Sequence, residues 1–261
     1  VRSLFAYLFI SLLTYSCSFK SVIVPNLDYI LADRIGDELD LYYSQEKQVK
    51  KEIKQLFISH KDKIKQLRLI VEKVSVEKTR LSEVYKSFEK VYIELGTPIN
   101  KLLARYVVKL DRDQRKNFYE NLRKKNEKIR ERLKKNNPQR YFERFEFFFG
   151  DLNKDQKQIL ISNEASYKTL SKERLLKRGK IQSNMKKVLR DKTKNNKLKI
   201  KEIEKLFNLS LHFKMTEARK KTLSSIEKLL QSLTQKQKDH FRLKKDEILS
   251  WFDEFFEYYK N

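Results

Sequence analysis

The sequence predicts an all-α protein built as elongated antiparallel helical hairpins or a bundle. Three observations predict it. The 261 residues include only four glycines and three prolines, too few for the positive-φ positions and tight turns that a β-rich sandwich, barrel or propeller requires. Apolar residues recur at steps of three and four, the spacing of one helix face. No stretch of useful length alternates apolar and polar residues as a half-buried strand would. The hydrophobic fraction, 39%, is enough for a core and too high for a disordered chain of this charge.

The N-terminal segment is of a different kind. Residues 1–16 read VRSLFAYLFISLLTYS, one positive charge at Arg2 followed by an apolar and hydroxyl run. The run is too short to span a bilayer comfortably and has the form of a signal-peptide core. Cys17, the one cysteine of the chain, follows at once behind Leu13-Thr14-Tyr15-Ser16. A small residue followed by cysteine resembles a bacterial lipobox, with Thr14 where a leucine is usual. Cys17 is therefore the expected lipidation site, and acyl chains anchor a protein through roughly 0.8 kcal/mol per buried CH₂. Ser18 follows the cysteine where an aspartate would favour inner-membrane retention. The expected location is thus the bacterial cell envelope, on the periplasmic face of the outer membrane. The expected organisation is a signal peptide over 1–16, a lipidated tether over 17–26 and a single helical domain over 27–261.

The elements follow in order. Val49, Ile53, Phe57, His60, Ile64, Leu67, Val71 and Val74 form one apolar stripe, with His60 packed in it. A second stripe runs through Phe118, Leu122, Ile129 and Leu133, and a C-terminal one through Phe241, Ile248, Phe252, Phe255 and Tyr259. Lys and Glu fill the positions between, as on solvent-lined helices. Breaks are expected at Gly96-Thr97-Pro98, Asn136-Asn137-Pro138, Gly150 and Asn195-Asn196.

One phrase recurs at helix starts: Leu110-Asp111 with Gln114, Leu152-Asn153 with Gln156, and Leu233-Thr234 with Gln237. An N-cap type three residues before Gln is a capping box. The cap oxygen accepts from an early backbone N–H, and the Gln reaches back to the cap's own N–H. A degenerate copy, Leu41 with Gln45, has Tyr42 at the cap position, so Ser44 is expected to cap that helix.

The opening Asn26-Leu27-Asp28-Tyr29, the repeated Leu-to-Gln phrase and His60 in Ser59-His60-Lys61 resemble a family of bacterial lipoproteins of unknown function. Its members open on an N-L-D-[YW] helix and repeat an L-[ST]-x-x-Q-type phrase. The resemblance covers the mature chain and implies a location and an architecture; it implies no activity or cofactor. The phrase is also similar to that of the small helical periplasmic chaperones named after L-T-x-x-Q, by analogy only.

Charge divides the chain. The formal net charge is +25. Residues 101–200 hold 31 Lys+Arg against 12 Asp+Glu, net +19, whereas 17–100 and 201–261 carry +2 and +3. The excess includes a basic patch at Arg123, Lys124, Lys125, Arg130, Arg132, Lys134 and Lys135, interleaved with Tyr119, Tyr141, Phe142 and Phe145 to Phe149. Such a field attracts anionic surfaces. Behind a signal peptide the expected anions are anionic lipid, lipopolysaccharide or a cell-wall polymer, or else unfolded protein clients, rather than nucleic acid.

No catalytic constellation is present. The glycines never cluster into a phosphate loop, no serine sits in a G-x-S-x-G elbow, and three separated histidines offer no metal centre. The chain reads as a non-catalytic, membrane-anchored binding module without cofactor or metal, either chaperone-like or touching an anionic envelope component. The alternative is a structural lipoprotein of an envelope complex whose charge is compositional.

Overall fold

The computed structural model describes residues 23–77, 80–135, 139–212 and 214–260. The leader, Cys17 and Ser18 lie outside these residues. The described chain is an all-α bundle of eleven α-helices with no strand among them.

The packed body begins before the expected boundary at residue 27. Val24–Asn26 forms a 3-10 turn, and Val24 is buried against the core. Ile23 packs there too. Helix α1 (Leu27–Leu39) follows, and Asp40 closes it in the left-handed region at φ 56°. Aspartate tolerates that conformation better than most L-residues do.

The long stripe of residues 49–74 is carried by two helices rather than one. Helix α2 (Tyr43–Ser59) and α3 (Lys61–Lys73) meet at His60, whose backbone leaves the helical region at φ −114°, ψ 21°. Its ring lies half-buried at this break, with Nδ1 2.9 Å from Ser59 Oγ and 3.1 Å from the Leu56 carbonyl. His60 is thus a joint between helices and not a core residue of the stripe. Val49, Ile53 and Phe57 before it are buried in one core, and Leu67 after it belongs to another.

The expected break at Gly96-Thr97-Pro98 is absent. Helix α4 (Leu81–Lys109) runs straight through it. Proline forfeits one backbone bond. The packing of the turns that follow outweighs that loss: Asn100, Leu102, Leu103, Ala104, Tyr106, Val107 and Val108 are all buried. Gly96 serves close approach instead of termination, since a Cβ there would lie 2.5 Å from Leu211 Cδ2.

Helix α5 (Arg112–Lys134) leads to α6 (Gln139–Phe149), which ends at Gly150, φ +73°. Then come α7 (Lys154–Ser162), α8 (Glu164–Arg190), α9 (Asn196–Leu209), α10 (Glu217–Gln231) and α11 (Gln235–Tyr258).

The packing contains an internal duplication. In the first half α1 packs on α2 and α5, while α2 packs on α4. In the second half α6 packs on α7 and α11, while α7 packs on α10. Two helical corners interlock in each half, and the turns of those corners carry the four Leu-to-Gln phrases. The halves build separate cores. One gathers Leu31, Val49, Val107 and Phe118, and the other Phe142, Phe149, Leu160, Leu229 and Leu233. The second half also reaches back into the first core with Met185, Ile203, Trp251, Phe255 and Tyr259. Helix α8 links the cores, and between Leu170 and Met185 it buries no residue.

Candidate functional site

The recurrent phrases are brought together in pairs. Asp111, Asn153 and Thr234 are the N-caps of α5, α7 and α11, each in a capping box with its Gln. Leu110, Leu152 and Leu233 are buried beside them, and Leu41 is half-buried. Tyr42, not Ser44, occupies the cap position of α2. Gln45 Oε1 accepts from the Tyr42 N–H at 2.9 Å, while the Tyr42 hydroxyl donates to Asp111 Oδ2 at 2.7 Å. Ser44 lies inside the first turn of that helix.

Each Gln then meets a second one. Gln156 Nε2 donates to Gln237 Oε1 and Gln237 Nε2 donates to Gln156 Oε1, both at 2.9 Å. The remaining amide hydrogens go across the junction, from Gln156 to the Ser232 carbonyl at 2.9 Å and from Gln237 to the Asp151 carbonyl at 2.8 Å. In the first half Gln114 Nε2 donates to Gln45 Oε1 at 2.7 Å and to the Asp40 carbonyl at 2.8 Å. The amide orientations follow from chemistry: an N-cap N–H can only donate, so each Oε1 must face its own cap. Gln156 and Gln114 are essentially inaccessible, at 0% and 1% exposure. In the second junction both oxygens and both amide groups of Gln156 and Gln237 are hydrogen-bonded, so the pair reads as a structural key.

The +19 segment is compensated unevenly. Arg123 pairs with Glu120 at 2.6 Å and Glu127 at 2.7 Å, Lys124 lies 3.9 Å from Glu120, and Lys125 binds Glu38 at 3.0 Å. By contrast Arg112, Lys116, Lys128, Arg130, Lys134, Lys135, Lys187 and Arg190 are exposed and have no ion pair among the described residues. Arg132 is exposed on the same stretch. Beyond Leu122, α5 buries nothing. Its exposed cations are Arg112, Lys116, Arg123, Lys124, Lys128, Arg130, Arg132 and Lys134. The interleaved aromatics are mostly packing groups: Phe142 and Phe149 are buried, Phe147 and Phe148 meet edge to face, and Tyr141 stacks on Tyr167.

Sequence reasoning passed over two arginines of α8. Arg174 is exposed, and its charged neighbours are Arg219 and Arg144. Enclosure and these two cations hold its guanidinium below the usual arginine range. Arg219 lies over the Tyr85 ring at 5.6 Å. One turn on, Arg178 donates from Nε to Asn126 at 2.8 Å, and its Nη2 is buried without a hydrogen-bond partner. Lys-rich sequence hides Arg178, because nothing local marks which cation is bonded to a neighbouring helix.

At the opening helix Leu27 and Asp28 are buried, and Tyr29 is exposed beneath Lys50. Tyr259 donates to Asp28 Oδ1 at 3.3 Å, joining the last helix to the first. Asn26 closes the 3-10 turn and makes no side-chain cap bond. His240 contacts the Phe147 carbonyl at 3.2 Å, and His212 is exposed in the α9–α10 connection. Among the described residues no group of three His, Cys, Asp or Glu side chains could hold a metal. None of the described helices is long and apolar enough to cross a membrane.

Among known proteins, no family model matches the chain, and no curated protein or solved structure matches it.

Proposed function

We propose that this protein is a non-catalytic binding module of the bacterial envelope, anchored by lipid at Cys17 on the periplasmic face of the outer membrane, whose basic segment contacts an anionic envelope component. The apolar run over 1–16 and the placement of the one cysteine support the anchor. One observation carries the binding role: exposed cations of α5 and α8 without an ion pair outnumber the exposed acids of those helices without one, Asp113, Glu131 and Glu173, among the described residues.

Palmitate labelling tests the anchor: wild type takes label and Cys17→Ser does not, and an unlabelled wild type removes the claim. Binding to vesicles of phosphatidylglycerol and to lipopolysaccharide tests the role. Affinity falls steeply between about 0.05 and 0.5 M salt as the Debye length contracts, and flat behaviour makes the charge mere composition.

A further inference from the structure

The turn from α4 into α5 opens on a cleft of about 430 Å³ lined by Leu110, Asp111, Arg112, Arg115, Lys116 and Tyr119. Its volume falls in the range of small-molecule sites, on the order of 300–1,000 Å³. Three of its six lining residues are cations. Arg115 is held across the turn by a bond from Nη2 to the Leu110 carbonyl at 2.8 Å. A further cation arrives from α8, with Lys186 Nζ 4.6 Å from the centre of the Tyr119 ring.

The one acid of the wall is already engaged. Asp111 Oδ1 accepts the N–H groups of Asp113 and Gln114, both at 2.9 Å, and Oδ2 accepts the Tyr42 hydroxyl. It adds one negative charge against four positive ones and offers no free oxygen to the arginines. Behind the wall, Arg115 Nε and Tyr119 Oη are buried without a hydrogen-bond partner. Buried polar groups ordinarily find one. The cleft thus has surplus positive charge and apolar surface from Leu110 and Tyr119.

We propose that this cleft binds a phosphate monoester, with Arg112, Arg115 and Lys116 on the phosphate and Leu110 and Tyr119 against the organic part. A dianionic tetrahedral group suits several convergent cations, and guanidinium forks match its oxygens in pairs. The apolar wall selects an ester over free phosphate. A lipid headgroup and a soluble sugar phosphate share this chemistry. The inference rests on the binding role proposed above and narrows it to one site.

The test uses the full chain in detergent. Arg115 stays intact because it also braces the turn. Arg112→Gln with Lys116→Gln removes two cations of the cleft. Arg130→Gln with Lys134→Gln removes two elsewhere on α5, and circular dichroism checks that both variants are folded. Glucose 6-phosphate against glucose in calorimetry reads the soluble source. Phosphatidic acid against phosphatidylcholine vesicles reads the lipid source. The cleft variant is expected to weaken the phosphate ligand about tenfold, and the control less than about twofold. Equal losses in both variants overturn the site and leave a diffuse anionic contact standing. Binding of anionic polymers without binding of either phosphate probe overturns the phosphate assignment alone. No salt-dependent binding of any anion overturns this site together with the broader role.

Discussion

The two Gln junctions do the same job with different parts. In the second half Asn153 and Thr234 are neutral caps, and Gln156 and Gln237 exchange reciprocal bonds inside a closed junction. In the first half one cap is Asp111 and the other position is Tyr42, which reaches over to that same aspartate. The first junction is therefore charged, and partly exposed at Tyr42, where the second is neutral. The difference teaches that the shared element is the Gln pair spanning two turns. The cap residue can vary so long as its backbone N–H points at the Gln oxygen.

The largest effect should come from opening the closed junction. Gln156→Ala strips partners from the Asn153 N–H, the Ser232 carbonyl and the Gln237 amide. It should cost about 3 kcal/mol in urea unfolding, since each stranded buried group costs about 1–3 kcal/mol. Gln114→Ala should cost about 2 kcal/mol in the same assay, because water can reach part of what it leaves. If Gln114→Ala proves the costlier, enclosure is not what sets the two junctions apart.

Acid should separate the halves next. Hydrogen bonds from Gln114 N–H and the Tyr42 hydroxyl, with Asp113 N–H, hold the Asp111 carboxyl below the usual aspartate range. A lowered folded value means that its stabilisation is complete above the ordinary aspartate pKa and fades as pH falls through the folded value. Asp111→Asn should therefore lose less stability than wild type between pH 6 and pH 2.5. Asn153→Asp should give the second junction the acid-sensitive limb that Asp111→Asn removes from the first. Parallel acid limbs for wild type and Asp111→Asn would dismiss this contrast. The smallest effect belongs to Tyr42→Phe, which removes one exposed bond and should lower the urea midpoint less than Gln114→Ala does.

Much of this was legible in local sequence. Three capping boxes, the α6 stop at Gly150 and the start of α9 at Asn195 are each specified within four residues of the feature itself. What escaped depended on distant chain. Gln156 and Gln237 stand 81 residues apart, and no period announces their meeting. Pro98 reads as a stop until the burial around Leu102 to Val108 is known. His60 reads as core because the apolar spacing runs on across a joint that has neither Gly nor Pro. The basic segment was visible as composition, but the cleft beside Arg115 needed the turn geometry, and the setting of Arg178 needed the neighbouring helix.

The bond between Tyr259 and Asp28 has a mechanical consequence. The chain enters the body at Ile23 and Val24, and there α11 lies across it, with Tyr259 packed on Phe57 and bonded to Asp28. Tension arriving from the N-terminal side is borne by the last helix as well as the first. Because α11 also reaches the second core through Phe241, that load is shared by both halves. A pull at one end is thus resisted by the whole body, and cutting the chain before Tyr259 would release the latch at the opposite end.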